Sequence, residues 1–382
     1  MKKSYCIFSA QYLPHMGGVE RYTYNLAKKL VEKGHDVTVV TSNTEQAVVC
    51  EKMEGIMVYR VPCLNMLHGR YPVLIPNRQF WSIHRSISEK KYDMVIVNTR
   101  FYLHSLYGVL FGRKNHVRQI VIEHGTGHMT LHNSVLDFVE NVVEHAITAI
   151  EKPLCKEFYG VSEACLDWLH HFHIKGSGTL YNAIDLESVE EQLQNPVCSF
   201  RKQFHIPDDA VVVSFTGRLL KEKGILTLIK AVKDLNKTYS NLYLLIAGDG
   251  DEEETVLREK SNQIIPLGRI SAEEVIALLK ETDIFCLPSD SEGMSTSVLE
   301  AVACRDFVIT TKRGGAREII LDDTYGMIMD NNNLDTVERA LEAAALNPEL
   351  RETAVELAYK NLQKKFTWDI VADKVINLRK TE

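Results

Sequence analysis

Apolar and polar positions along this chain switch repeatedly between a strand-like and a helix-like period. Tyr5-Cys6-Ile7-Phe8-Ser9 is a short apolar run of strand length. From Val19 to Lys33 the apolar positions Tyr22, Leu26 and Leu30 recur at helical spacing, and Gly34 ends the pattern. Asp36-Val37-Thr38-Val39-Val40-Thr41 is rich in β-branched residues and predicts a buried strand, as do Met94–Val97 and Gln119–Ile122. Strands alternating with helices predict βαβ units, hence a parallel sheet covered on both faces.

The pattern restarts after Gln194-Asn195-Pro196, which has the composition of a linker. Ala210–Thr216, Leu242–Ala247, Ile284–Leu287 and Phe307–Thr310 read as strands, with a helix from Ile225 to Leu235 after the first of them. The expectation is an α/β protein of two tandem, Rossmann-like doubly wound domains facing a central cleft. The first spans residues 1–195 and the second 196–365. Trp368 to Leu378 reads as a helix with no strand after it, so residues 366–382 are expected to cross back to the first domain.

Composition narrows the class. At 382 residues the chain exceeds what one core commonly supports, and 45% hydrophobic with 25% charged residues is ordinary for a soluble globular protein. Two lysines precede the first apolar run, as in a leader peptide, but Gln11, Pro14 and His15 interrupt it. No apolar stretch has membrane-spanning length. The eight cysteines form no Cys-x-x-Cys pair, which predicts reduced thiols in a cytoplasmic protein. Residues 1–180 hold 20 Lys and Arg against 16 Asp and Glu, whereas residues 181–382 hold 24 against 35. This division hints at an anionic partner for the first half; acids gathered on solvated helices of the second half explain it equally well.

Four clusters carry candidate chemistry. In Pro288-Ser289-Asp290-Ser291-Glu292-Gly293-Met294-Ser295-Thr296-Ser297-Val298-Leu299-Glu300 a strand end passes through a small-residue loop into a helix starting near Ser295 to Ser297. Unpaired N–H groups at a helix start suit phosphate, and Glu300 in the first turns can accept two ribose hydroxyls. A capped helix with two solvated acids is the plainer alternative. Thr216-Gly217-Arg218-Leu219-Leu220-Lys221-Glu222-Lys223-Gly224 places Arg218 and Lys223 where two cations can clamp a leaving diphosphate, or form a solvated basic turn. His15-Met16-Gly17-Gly18-Val19-Glu20 offers paired glycines at a strand-to-helix turn, without the Gly-x-Gly-x-x-Gly spacing of dehydrogenases. Glu123-His124-Gly125 puts an imidazole at a strand end, where it can meet a sugar hydroxyl or serve structure alone.

Taken together these segments resemble glycosyltransferase family 4, whose members have the GT-B fold. Further matching segments are Gly34-His35-Asp36-Val37, Tyr159-Gly160-Val161-Ser162, Leu180-Tyr181-Asn182-Ala183, Ala247-Gly248-Asp249-Gly250 and Leu267-Gly268-Arg269. The spacing of Glu292 and Glu300, seven residues between two glutamates, is the most specific sign. The resemblance implies that Arg218 and Lys223 hold the donor diphosphate and Glu300 the ribose. Glu292 with the backbone of Gly293, Met294 and Ser295 would hold the transferred sugar, at the helix start that includes Ser297 and Val298. Gly17 and Gly18 would line the phosphate side, His124 would contact the sugar near the reacting carbon, and Arg269 and Ile270 would flank the base. Many members carry an aromatic after the Glu-Gly pair; here Met294-Ser295 follows, so the donor sugar does not transfer.

The reading is a retaining, metal-independent transferase moving a hexosyl or N-acetylhexosaminyl unit from a UDP-sugar or similar donor to a glycan or lipid-linked acceptor in surface polysaccharide or glycolipid synthesis. A catalytically silent nucleotide-sugar-binding subunit and a nucleotide-sugar epimerase or hydrolase on the same fold are the alternatives. No cofactor and no metal are expected, and Asp249-Gly250-Asp251 reads as the start of a solvated helix rather than a metal motif. No nucleic-acid partner is expected. The segment from His68 to Lys91 interleaves Arg70, Arg78, Arg85, Lys90 and Lys91 with Tyr71, Val73, Leu74, Ile75, Phe80 and Trp81, which predicts peripheral contact with an anionic membrane.

Overall fold

The apolar run that opens the chain is the middle strand of a sheet. The computed structural model describes residues 1–66, 71–128 and 134–378, and the chain divides into two units, Met1–Tyr181 with Trp368–Glu382, and Asn182–Thr367. In chain order unit 1 contains β1 (Ser4–Ser9), α1 (Gly18–Glu32), β2 (Asp36–Ser42), β3 (Cys50–Met53), β4 (Ile56–Val61), β5 (Cys63–Met66), β6 (Tyr71–Leu74), α2 (Arg78–Ser88) and β7 (Met94–Asn98). It continues with α3 (Leu103–Lys114), β8 (Arg118–Glu123), α4 (Ser134–Glu151), β9 (Phe158–Gly160), α5 (Glu163–His171) and β10 (Gly178–Thr179).

The main sheet of unit 1 has the order β10-β9-β8-β7-β1-β2-β4-β3. Tyr5, Cys6, Ile7 and Phe8 of β1 are all fully buried, because α1 packs on one face and α3 on the other. Burial of each large apolar side chain contributes about 1.5–3 kcal/mol, which explains why the run lacks polar alternation. A Cβ on Gly108 of α3 would stand 2.7 Å from the Phe8 ring, so this helix approaches the sheet only because a glycine is there. Not all of the sheet is parallel. β3 pairs antiparallel with β4, and β5 and β6 form a separate antiparallel pair, an addition that the βαβ expectation did not include.

Unit 2 contains α6 (Leu186–Gln194), α7 (Phe200–Gln203), β11 (Val211–Thr216), α8 (Ile225–Asn236), β12 (Leu242–Ala247), α9 (Glu253–Arg258), β13 (Ile264–Gly268), α10 (Ala272–Lys280) and β14 (Ile284–Leu287). Then follow α11 (Thr296–Cys304), β15 (Phe307–Thr311), α12 (Ala316–Ile319), β16 (Met327–Met329), α13 (Leu334–Ala345) and α14 (Pro348–Lys365). Its sheet is parallel throughout, in the order β13-β12-β11-β14-β15-β16. That is the Rossmann order, and it reverses direction between β11 and β14.

The border between the units falls after Tyr181, ahead of the Gln194-Asn195-Pro196 segment where the composition placed it. Helix α6 explains the difference: it packs on α10 and α11, so residues before the apparent linker already belong to the second core. Helix α15 (Trp368–Asn377) returns to unit 1. Its Trp368 ring meets Tyr22 of α1 edge-on at 5.1 Å, and Asp369 pairs with Lys29 and Lys33. The buried Trp368, Val371, Ala372 and Val375 hold it there; the ion pairs, open to solvent on the Asp369 side, add less.

Candidate functional site

In unit 2 the candidate residues gather where the strand order reverses. β11 and β14 are adjacent and parallel, so the loops leaving their carboxyl ends rise side by side. After β11 the chain turns at Gly217, carries Arg218 on an exposed position, and winds through a short 3₁₀ turn, Lys221–Lys223, into Gly224 and α8. Gly224 has φ +72°, and a Cβ there would lie 2.1 Å from the carbonyl oxygen of Pro288, so the loop after β14 rests directly against it. Asp290 N donates to Glu222 O at 2.7 Å across the same seam.

This seam brings Lys223 and Glu292 together, Nζ to Oε1 at 2.6 Å, both mostly buried. Beyond Glu292, the loop is held from its other side by the Gly314-Gly315 turn after β15. Gly315 N donates to Gly293 O at 2.7 Å, and a Cβ on Gly314 would stand 2.2 Å from that same oxygen. Met294 is buried, and its carbonyl accepts from Asn182 Nδ2 at 3.1 Å. Ser295 caps α11, its side chain accepting from Val298 N, and its hydroxyl lies 3.1 Å from that of Ser297. The helix begins at Thr296, within the expected range, and Glu300 sits in its second turn, partly exposed.

Three turns at the carboxyl edge of this sheet lock together through glycines. Gly217 N donates to Ala247 O, Gly248 N to Gly268 O, and Leu219 N to Asp249 O. Arg269, exposed, stands 3.8 Å from Asp249, and Ile270 packs partly on the core under β13. Asp249 thus faces an arginine, and α9 starts only at Glu253.

Unit 1 presents Gly17, Gly18 and His124 at the corresponding edge of its own sheet. Gly17 caps α1, and its N–H donates to Glu20 Oε2 at 2.9 Å. A Cβ on Gly18 would meet nothing within 4 Å, so of the two glycines only Gly18 borders open space. A chain of polar contacts ties three strand ends together: Thr23 Oγ1 lies 3.3 Å from Ser9 Oγ, Asn98 Nδ2 donates to Thr23 Oγ1 at 2.7 Å, and Asn98 Oδ1 lies 3.1 Å from His124 Nε2. With the Asn98 amide so oriented, its oxygen accepts from the Nε2–H of His124, and Nδ1 is the unprotonated nitrogen. The ring packs edge-on to Tyr22 at 4.8 Å, and Tyr22 is anchored through its hydroxyl to Leu180 O. The residue keeps some accessible surface, yet the packing around it pushes its pKa down to about 3, so the imidazole is neutral.

Glu123, at the end of β8, was quoted in the sequence only as a neighbour of His124. Its Oε1 accepts from His124 N and Gly125 N at 3.0 and 2.9 Å, and its Oε2 lies 2.8 Å from the buried Arg100. Burial still outweighs the attraction of Arg100 and holds the Glu123 pKa above its ordinary value. Asn98, Thr23 and the Gly314-Gly315 turn were not singled out by sequence reasoning either, and Asn182 appeared only within a matching segment, with no role of its own. Asn98 and Gly314-Gly315 follow apolar strand runs, which is the signal that could have found them; Thr23 has none.

Comparison with known proteins agrees with this geometry. Residues 16–188 match the family described as Glycosyltransferase Family 4, and residues 199–361 the one described as Glycosyl transferases group 1. An uncharacterized glycosyltransferase of Methanocaldococcus jannaschii is 25% identical over 95% of this chain and 94% of its own length. The GPI3 subunit of phosphatidylinositol N-acetylglucosaminyltransferase of Saccharomyces cerevisiae is 22% identical over 96% of this chain and 80% of its own. Among solved structures, Anabaena HepE in complex with UDP superposes with a TM-score of 0.74 at 16% identity, covering 98% of both chains. With matched segments in both units, full-length glycosyltransferase relatives and this architecture, the chain belongs to glycosyltransferase family 4 and has the GT-B fold.

Proposed function

We propose that this chain is a retaining glycosyltransferase that moves a hexosyl or N-acetylhexosaminyl unit from a nucleotide diphosphate sugar, with UDP as the favoured nucleotide, to a lipid-linked or glycan acceptor. The observation that carries the reading is the Lys223–Glu292 pair at the strand-order reversal of unit 2. It joins a cationic turn suited to diphosphate with a glutamate suited to sugar hydroxyls. Arg218 and Lys223 offset the charge that grows on the leaving diphosphate, and Glu300 accepts ribose hydroxyls. Glu292 and the backbone from Gly293 to Ser295 fix the sugar, Ser297 and Val298 supply the helix start, and Arg269 with Ile270 borders the base. Neutral His124, held by Asn98, presents Nδ1 as an acceptor for a sugar hydroxyl. The leaving phosphate oxygen takes the acceptor's proton on the face it vacates, so configuration is retained and no strong protein base is required. Two fixed cations serve the role that Mg²⁺ has elsewhere.

A lipid-linked acceptor at a membrane surface is favoured by two features of unit 1. On α4, Val135, Leu136, Phe138, Val139, Val142, Val143 and Ile150 are all exposed, a contiguous apolar helix face of the kind that marks an interaction surface. On α2, Trp81 is 55% exposed beside the exposed Arg78 and Arg85, whereas Phe80, Ile83 and Ile87 go to the core. Of the basic-aromatic segment, His68 and Arg70 lie outside the described residues, and Tyr71 is buried. Among the described residues no helix is long and apolar enough to cross a membrane; the attachment we propose is peripheral, at the cytoplasmic face. The phosphatidylinositol in the name of the yeast relative points the same way.

Incubation of the purified chain with a panel of nucleotide sugars, with and without phosphatidylinositol and glycan acceptors, tests the function. A glycosylated acceptor supports transfer. Donor binding without turnover identifies a silent subunit, and an altered or hydrolysed donor without acceptor identifies an epimerase or hydrolase.

A further inference from the structure

Three histidines from separate elements of unit 1 converge on one another, none of them part of the polar chain that holds His124. His128 follows β8, His145 lies on α4 and His171 ends α5. One ring nitrogen of each lies within 4.8 Å of the other two. Two of the rings are oriented from behind. His128 Nδ1 lies 2.6 Å from Oε2 of the buried Glu144, whose other oxygen is held by Arg100. His145 Nδ1 donates to the carbonyl of Asn141 at 2.7 Å. A proton on Nδ1 leaves Nε2 with its lone pair exposed in each, the arrangement in which histidine binds a metal. His145 Nε2 and His171 Nε2 stand 3.2 Å apart. Two nitrogens bound at about 2.0–2.1 Å to one tetrahedral zinc ion stand about 3.3 Å apart. His171 is steadied by stacking on Trp168, 4.7 Å between centroids and 6° between planes.

We propose that His128, His145 and His171 form a binding site for one divalent transition ion of the zinc class, with Glu144 and the Asn141 carbonyl as its orienting partners. Three imidazoles select zinc, copper or nickel over magnesium or manganese. His145 and His171 are exposed, so the ion enters from solvent. The ion fastens the segment after β8 to α4 and α5, and so acts on the stability of unit 1, apart from the donor-binding residues of unit 2. A second grouping shares His128: Glu140 and Glu144 also lie within 4.8 Å of it. There Glu144 is already engaged by both Arg100 and His128, which favours the three-histidine position.

The test uses the tag-free, chelator-stripped full chain and calorimetric titration with Zn²⁺, then with Mg²⁺. The expected result is one Zn²⁺ per chain and no response to Mg²⁺. Co²⁺ should give the visible spectrum of a tetrahedral site, and Zn²⁺ in hundredfold excess over Kd should raise Tm by roughly 5–10 °C. His145→Ala and His171→Ala should abolish stoichiometric binding while melting like the wild type in chelator. Glu144→Gln should weaken it about 10- to 100-fold, and Glu140→Gln should leave it unchanged. Loss of binding in Glu140→Gln with retention in His171→Ala would place the ion among the carboxylates and overturn the proposal. Absence of stoichiometric binding would overturn it too, leaving the 3.2 Å contact as a hydrogen bond between two histidines.

Discussion

Lys223 and Glu292 are 69 positions apart in the chain, yet their Nζ and Oε1 atoms stand 2.6 Å from one another. The pair exists because β11 and β14 are neighbours in a sheet whose order reverses between them, which sets the two following loops edge to edge. The pair is mostly buried, and for such a pair the cost of desolvating two charges offsets much of their attraction, so it contributes little net stability. Both lie in loops at the carboxyl edge of the sheet, where we propose that they form two adjacent parts of the donor site.

Truncating the cations tests this directly. Lys223→Ala and Arg218→Ala should each lower kcat by about 10²-fold, because each removes a donor aimed at charge that develops as the donor sugar leaves. Glu300→Ala should instead raise the dissociation constant of the nucleotide with a smaller effect on kcat. Steady-state kinetics with nucleotide titration separates the two patterns. Wild-type turnover in either cation variant contradicts the assignment.

The glycine seam at the same edge makes a prediction about stability. At Gly248 φ is +146°, and a Cβ would fall 1.8 Å from the carbonyl oxygen of Gly217. Gly248→Ala should therefore cost at least about 3 kcal/mol or abolish folding. Gly268 has φ +68° with nothing within 4 Å of a Cβ, so Gly268→Ala should cost only about 1–2 kcal/mol. Denaturant unfolding of the two variants checks the ranking, and equal losses contradict it.

The neutral state of His124 has consequences for pH. Burial lowers its pKa to about 3 and that of the fully buried His104 to about 4, from an ordinary 6.5. Below about pH 6.5 the unfolded chain takes up protons on these rings and the folded chain does not, so their contribution to stability is full above 6.5 and falls as pH drops towards 3. In its proposed role the imidazole should therefore act in the neutral state at both pH 6 and pH 8. His124→Ala should lower kcat/KM by about 10- to 100-fold, by the same factor at pH 6 and pH 8. A deficit that shrinks at pH 6 would show that the ring titrates in that range.

Most of the strands were legible because a parallel strand covered on both faces must be apolar at nearly every position, and Leu242–Ala247 and Ile284–Leu287 lie where the runs placed them. The antiparallel strands β3, β5 and β6 were not, since Cys50–Met53 and Cys63–Met66 are half-polar and exposed and carry no run. The border was missed because Pro196 marks a turn inside unit 2 rather than a change of core. At the candidate site, residues that adjoin in sequence form recognisable segments, whereas Asn98 and the Gly314-Gly315 turn act across long separations, and the contact of Asn182 with Met294 is not written in its own segment. The histidine cluster was invisible for the same reason: His145 and His171 are 26 residues apart and meet only because α4 and α5 do.

Membrane attachment is tested by sedimentation with liposomes. The chain should pellet with anionic vesicles at low salt and be released as ionic strength rises, because basic residues near such a surface contribute about 1 kcal/mol each. Phe138→Ser with Val142→Ser on α4, and Trp81→Ala on α2, should each weaken the binding. Retention in the supernatant at low salt, with a wild-type rate on a soluble acceptor, contradicts peripheral attachment.

Transfer with retention by the cations of the chain itself is the proposal on which the assigned roles of Arg218 and Lys223 depend. The decisive measurement is the anomeric configuration of the product, read by NMR from a reaction run in EDTA with the nucleotide sugar and acceptor that the panel identifies, below the melting temperature of the stripped protein. The product should carry the donor's own anomeric configuration and form at a rate that added Mg²⁺ or Mn²⁺ changes by less than about twofold. A product of inverted configuration, or turnover that stops in EDTA and returns with Mn²⁺, would contradict that proposal.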